Sequence, residues 1–474
     1  MKCRYLIILA AVILILTGCS SNEISSEPTS LWVVTEATPS NGLNAQVQHY
    51  IEQFQIEHPN VRIQLDVLPT DEPKRTEYIK ELYKTIESGE GPDIYLLPDR
   101  DILQTDHSFY QVTPLFPDME LAMRSGIFAD ISRLYNFDFR LGKSGLQKTV
   151  MDAGVVDGRR YVLPLRYEIN TIYYFPDLIS GTTELDIETC TVKDLMQYAI
   201  TLGDPAVASA VDHIPARSHY ALTETFSNLI DYDSEEITLS PQDLEEYLSV
   251  YQKLVETIGP SWKVYGGAQL YNVEEIVDYS PIKVSTLSSG IAFSAYAKQT
   301  GYQIKMAPLR TVGGDVVATV SYFGAVGSGC KIVETAYEFL RIFLSEEAQW
   351  ETAYLDDKEL PPLSGSGWPV RAKGATPYLY SIAQKQMERY DGSRYRSTYK
   401  TIELHDQDIP LLEADIDLVR FHFCNSFYLY RQKLNGVEND ESQTKTEPTA
   451  LAGAFIQSLE NTYNANLNAL PKIS

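Results

Sequence analysis

Basic residues are scarce in this 474-residue chain: 39 Lys and Arg stand against 64 Asp and Glu, a formal net charge of −25. A surface that acidic repels phosphate backbones, so nucleic acid is not expected as a partner. Tryptophan (4), cysteine (5) and methionine (7) are also few. No CxxC occurs, and the His at 49, 58, 107, 213, 219, 405 and 422 form no HxxxH or HExxH pair, which disfavours a zinc site. Neither GxxxxGK[ST] nor GxSxG is present, so phosphate-loop and nucleophile-elbow chemistry have no basis here. Asp231, Asp233 and Glu235 have calcium-loop spacing, but Glu236 stands where that loop needs Gly and Gln242 where it needs Glu. The sequence therefore calls for no metal and no cofactor. What it does contain is an ordinary globular mix, 44% hydrophobic and 22% charged. At roughly 150 residues per domain the length suits about three units, or two large lobes sharing segments.

The first residues carry an address. Lys2 and Arg4 precede an unbroken apolar run from Tyr5 to Leu16, too short for the about 20 residues of a membrane-spanning helix and suited to a signal peptide. Leu16-Thr17-Gly18-Cys19 resembles the bacterial lipobox, which implies cleavage at residue 18 and a lipid on Cys19; an ordinary secretory signal with a chance Cys is the alternative. Ser20 to Ser30 is polar and reads as a tether. The expected location is extracytoplasmic, anchored to the bacterial cell membrane by the N-terminal lipid. Cys190, Cys330 and Cys424 remain, too few and too far apart for a disulfide framework, and are expected as buried free thiols.

Periodicity sets the class as α/β. Leu31 to Glu36 predicts a strand, helical spacing follows from Asn44 to the break at Pro59, and Val61 to Leu68 alternates with period two. Thr76 to Ser88 predicts a second helix before a third strand at Asp93 to Leu97. Such βαβ units imply a mainly parallel sheet with ligands beyond its carboxyl ends, where Thr35 to Thr38 and Asp99-Arg100 fall. Further on, Asp157-Gly158 predicts a turn into Tyr161 to Pro164, and Ile172 to Phe175 is strand-like. Ser240-Pro241 caps a helix running toward Thr257, and Ile332 to Leu344 and Ala450 to Leu467 are helical, the last following a polar acidic loop at Asn435 to Thr449.

Four stretches in this order resemble the extracellular solute-binding proteins (family 1) of carbohydrate ABC transporters, the group of the maltodextrin-binding proteins. They are Phe54 to Val61 with Gly91-Pro92-Asp93-Ile94; Asp157 to Pro164 with Tyr173 to Leu178; Ser289 to Phe293; and Ala336 to Leu340 with Ser345 to Gln349. The resemblance covers Leu31 to about Ala353 and is loose beyond it. It implies a two-lobed periplasmic-binding-protein-like fold (type II), with hinge-linked lobes and a ligand cleft between them. The implied parts are a signal peptide at 1–18, a lipidated tether at 19–30, an N-terminal lobe of 31–166 plus 308–350, and a C-terminal lobe of 167–307 plus 351–474. Crossings would fall near Pro164 to Glu168, near Gln303 to Leu309, and after the helix containing Trp350.

The implied activity is not enzymatic: a monomeric receptor captures a solute, an oligosaccharide, and delivers it to ABC transporter permease subunits. Asp99 and Arg100 match an Asp-Arg pair that holds sugar hydroxyls in the maltodextrin binders, and Tyr167 and Glu168 lie at the implied hinge. Glu36 follows the first strand. Tyr296, Tyr322, Phe323 and Trp368 are the aromatic candidates, because sugars offer apolar faces as well as hydroxyls; core packing is the competing use of each. Leu97 stands where the maltodextrin binders carry a Trp, and Trp262 has no matched position. Two rival functions stay open, a lipid-anchored glycoside hydrolase, which needs two carboxylates across a cleft, and a lipoprotein that binds a non-sugar solute or a peptide partner.

Overall fold

The computed structural model describes residues 29–36, 43–99, 102–104, 109–176, 185–216, 224–258, 280, 282–287, 290–350, 353–355, 358–360, 367–371, 378–385, 397–408, 415–423 and 446–473. Cys19, Arg100, Trp262, Cys424 and most of the acidic loop lie outside the described residues.

Strand β1 (Thr29–Glu36), helix α1 (Leu43–Glu57), β2 (Val61–Leu68), α2 (Glu72–Glu87) and β3 (Ile94–Pro98) succeed one another as the periodicity predicts. β1 pairs in parallel with β2 on one side and with β3 on the other. It is apolar on both faces because both are covered. Leu31 and Val33 join Val47, Tyr50 and Phe54 of α1, whereas Val34 joins Ile79, Leu82 and Ile86 of α2. Because the chain leaves β1 toward one neighbour and returns on its other side, the topological switch point, the crevice where open α/β sheets bind ligands, falls between the carboxyl ends of β1 and β3.

The next long strand differs from the sequence expectation. Tyr161 to Pro164 and Ile172 to Phe175 read as separate pieces, yet one strand, β4 (Val162–Tyr174), runs through with all 13 residues buried. Polar residues between those pieces stay in the strand because each finds an internal partner for part of its side chain. Arg166 donates to the Gln349 carbonyl at 2.9 Å, and Asn170 Nδ2 donates to Glu224 at 3.0 Å. β4 serves two sets of partners. Its C-terminal part pairs with β5 (Ile282–Thr286) and β6 (Lys305–Pro308), and its N-terminal part pairs antiparallel with β7 (Val317–Val326). β7 in turn pairs with β3, which joins everything into one mixed sheet.

Helices α3 (Val192–Leu202), α4 (Pro205–Ala216), α5 (Pro241–Ile258) and α8 (Pro448–Ala469) form a second mass on the β5 side. Leu195 and Met196, Tyr247 and Tyr251, and Phe455 and Leu459 are its buried contacts. Their starts follow local chemistry: Thr191 and Asp194 form a capping box, and Ser240 Oγ accepts from the Gln242 and Asp243 amides. Helix α6 (Gly290–Thr300) packs beside β4 through Phe293 and Tyr296, and α7 (Val333–Ile342) covers the α1 face. Cys190 and Cys330 are buried free thiols, and burial pushes both up to about 12. No helix among the described residues is long and apolar enough to cross a membrane.

Two late segments return to the sheet. β8 (Trp368–Pro369) pairs with β4 at Tyr167 and Arg166, and β9 (Leu418–Arg420) pairs in parallel with the start of β7. Arg371 fastens the first return by donating to the Leu344 and Leu141 carbonyls, each at 2.6 Å. Gly367, at φ +119, lies against β7 so closely that a Cβ there would stand 2.1 Å from Ser321 Oγ.

Candidate binding site

β3 and β9 occupy the same edge of β7 end to end. β3 pairs antiparallel with Tyr322–Val326 and β9 parallel with Val317–Thr319, so the two run toward each other and stop at Val320–Ser321, where the register of β7 shifts. Their carboxyl ends are tied by one side chain. Asp99, whose own amide donates to Ser321 O at 3.1 Å, accepts from the His422 backbone amide at 2.5 Å and meets its Nδ1 at 3.2 Å. The opposite ring nitrogen of His422 lies 3.6 Å from Glu224, and Glu224 accepts from Asn170 of β4. Burial by itself would push the imidazole down; hydrogen bonds and charge from Asp99 and Glu224 outweigh it and raise the group to about 9. His422 is therefore an imidazolium at neutral pH, held between two carboxylates at the crevice.

Glu168 and Asn170 of β4 lie within this same stretch, and each is about 5% exposed. Glu168 is opposite Thr319 and Asn170 opposite Thr286, so β4 presents them at the step from its β7 pairing to its β5 pairing. Asn170 Oδ1 is buried with no hydrogen-bond partner among the described residues. Arg420, the last residue of β9, donates to Ser227 O at 2.5 Å, and burial lowers its guanidinium to about 10. Asp99, Glu168, Asn170 and His422, with the half-buried Glu224 beside His422, thus concentrate polar groups beyond the carboxyl end of β3. No group of three or more His, Cys, Asp or Glu able to hold a metal occurs among the described residues.

The other sequence candidates are placed as follows. Glu36 ends β1, but both its carboxylate oxygens accept from Arg75 of α2, at 2.6 and 2.8 Å. Arg75 also donates to Thr113 O and Pro69 O, so this pair is a buried clamp between β1 and α2. Tyr322 is fully buried, with its hydroxyl donating to Leu96 O at 3.3 Å. Phe323, 1% exposed, meets Phe421 edge to face. Tyr296 packs edge to face on Phe175. Tyr167 is buried beside β8, burial raising its phenol well above the ordinary value, and Trp368 is half-buried between two apolar clusters. The structure brings Asp99 and Glu168 to one region, and gives Tyr296, Tyr322 and Phe323 packing partners on strands and helices around it.

Sequence reasoning missed His422, Glu224, Asn170 and Arg75. His422 had a signal: Leu418 to Phe423 alternates as a strand would, with the His flanked by two Phe. Glu224 and Asn170 had none, because their pairing joins segments 54 residues apart.

No family model matches the chain, and no curated protein matches it. Among solved structures, an extracellular solute-binding protein family 1 member from Alicyclobacillus acidocaldarius subsp. acidocaldarius DSM 446 is 14% identical, with 73% of this chain and 80% of that one covered at a TM-score of 0.45. A cyclic alpha-maltosyl-1,6-maltose binding protein from Arthrobacter globiformis is also 14% identical, covering 93% of this chain and 99% of that one at 0.47. A de novo designed esterase improved by directed evolution gives 14%, 93%, 100% and 0.49 for the same quantities. At this level of similarity none of the three assigns a ligand or an activity to the chain.

Proposed function

We propose that this protein is a lipid-anchored, extracytoplasmic solute-binding receptor that captures a carbohydrate, an oligosaccharide, and delivers it to an ABC transporter permease. The observation that carries the reading is the buried polar group set at the switch point, where Asp99 and His422 join strand ends and β4 adds Glu168 and Asn170. Buried carboxylates beside Asn170 Oδ1, which has no partner among the described residues, are what sugar hydroxyls need, since each hydroxyl both donates and accepts. The order of the four resemblance stretches, behind a lipobox, supports the same conclusion.

In this reading β4 is the hinge. Residues 162–166 belong to a lobe of 31–166 plus 308–350 and the rest of β4, including its β5-paired part, to a lobe of 167–307 plus 351–474, with Tyr167 to Ile169 pairing back onto β7; the packing of α8 on α5 supports the second grouping. Closure of one lobe on the other is driven only by the ligand's higher affinity for the closed state. Micromolar affinity requires about −8 kcal/mol, within reach of several charge-assisted hydrogen bonds after closure costs.

The test is calorimetric titration of the purified chain with a panel of oligosaccharides, with each mixture analysed afterwards for breakdown products. Saturable binding with intact sugar is expected, and Glu168→Gln is expected to weaken it at least about tenfold, the loss of one charged hydrogen bond. Cleaved sugar would replace the receptor by a hydrolase, and silence across the panel would overturn the sugar assignment.

A further inference from the structure

The hydrogen-bond chain that ends on Asn170 fixes the direction of one amide. Asp99 and Glu224 flank the His422 ring at 3.2 and 3.6 Å, and the other carboxylate oxygen of Glu224 accepts from Asn170 Nδ2 at 3.0 Å. A carboxylate beside an imidazolium only accepts, so Glu224 decides which end of the Asn170 amide faces it: the NH2 group does, and the carbonyl oxygen points the other way. The backbone of Asn170 is held as well. It lies opposite Thr286 in the β4–β5 pairing, and its main-chain carbonyl accepts from the Leu309 amide at 2.7 Å. Oδ1 is thereby left buried, without a hydrogen-bond partner among the described residues, on a side chain about 5% exposed. Glu168, two residues earlier on β4, lies on the same face of the strand.

An amide free to turn offers a ligand either its donors or its acceptor. Tied to Glu224, Asn170 offers only the acceptor. A ligand group that meets Oδ1 must bring a proton, as a sugar hydroxyl does; a deoxy position or an ether oxygen leaves the buried acceptor unsatisfied, and a site built to bond a hydroxyl rejects the analogue that lacks it. We propose that Asn170 is a specificity-determining residue of the crevice, reading one sugar hydroxyl as a hydrogen-bond donor, and that Glu224 is its positioning residue, which orients the amide without touching the ligand. This assignment rests on the sugar-receptor reading above.

The experiment is calorimetric titration of the purified chain with maltotriose, cellotriose, xylotriose and mannotriose, and with the monodeoxy derivatives of whichever binds. One derivative is expected to bind the parent at least about tenfold more weakly than the full sugar. Asn170→Leu is expected to bind the full sugar and that derivative equally, because both losses are of the same hydrogen bond. A side chain that only braced β4 would instead weaken the full sugar and every derivative alike. Glu224→Gln frees the amide to turn and should cut the full sugar's advantage over the derivative at least about threefold; being isosteric, it tests the assignment independently of any folding loss in Asn170→Leu. Losses that add in full for every derivative, or an unchanged advantage in Glu224→Gln, would overturn the assignment while leaving a receptor that binds sugar. Silence of the parent toward all four sugars would overturn the sugar reading itself, and this assignment with it.

Discussion

Replacing His422 by Gln should remove a pH dependence that the buried imidazolium imposes on stability. The ring is about 5% exposed and lies between Asp99 and Glu224. Its folded-state value, about 9, is above the ordinary 6.5, so the stabilisation is fully present below pH 6.5 and is lost as pH rises through 9. That interval, at about 1.36 kcal/mol per pH unit, corresponds to about 3 kcal/mol. Urea denaturation of the parent and His422→Gln, at steps from pH 7 to 9.5, measures it. Asp118, which burial raises to about 7, and the tyrosines of the unfolded chain titrate within or at the edge of this window, but in both proteins alike. Ionisation of Cys190 and Cys330 in the unfolded chain is common to both proteins and cancels in the difference. The parent should lose about 2 kcal/mol more than the variant across the window. Parallel pH profiles would refute the placement of a charged imidazole between the two carboxylates.

The clamp of Glu36 on Arg75 gives a second expectation: Arg75→Met alone should cost about 3–5 kcal/mol by stranding a buried carboxylate, and Glu36→Met/Arg75→Met should recover most of it. Urea midpoints of the three proteins check this, and equal losses in single and double variants would contradict it. Gly367→Ala should destabilise by more than about 2 kcal/mol because φ is +119 and the new Cβ meets Ser321, while Gly301→Ala, at φ +80 with nothing within 4 Å, should cost about 1 kcal/mol. Similar melting shifts for both would refute the close contact.

The opening βαβαβ was readable because every element there is covered on a face its own periodicity declares. β1, β2 and β3 fall within a few residues of the expected spans. β4 was not, since Arg166 and Asn170 read as loop residues until their partners at Gln349 and Glu224 are known. The site divides in the same way. Asp99 follows from a strand end and Glu168 from the hinge that the resemblance implies, whereas the imidazole that joins β9 to Asp99 comes from a segment 323 positions later, a distance no local pattern spans. Aromatic residues were the least legible. A Tyr in a strand looks the same whether its ring meets a ligand or, as Tyr322 does, a carbonyl inside the sheet.

The sharing of β4 between two sets of strands also dictates when the protein can fold. Every pairing of this strand is with chain made later: β5 and β6 from residue 282, β7 from 317, and β8 at 368. During synthesis residues 162–174 therefore have no strand partner while more than a hundred further residues emerge. Closing loops of that size costs entropy before any pairing returns it, which places assembly of the central sheet late in folding. The opening βαβαβ can pair on its own before then, so the sheet is completed from its β1–β3 side outward.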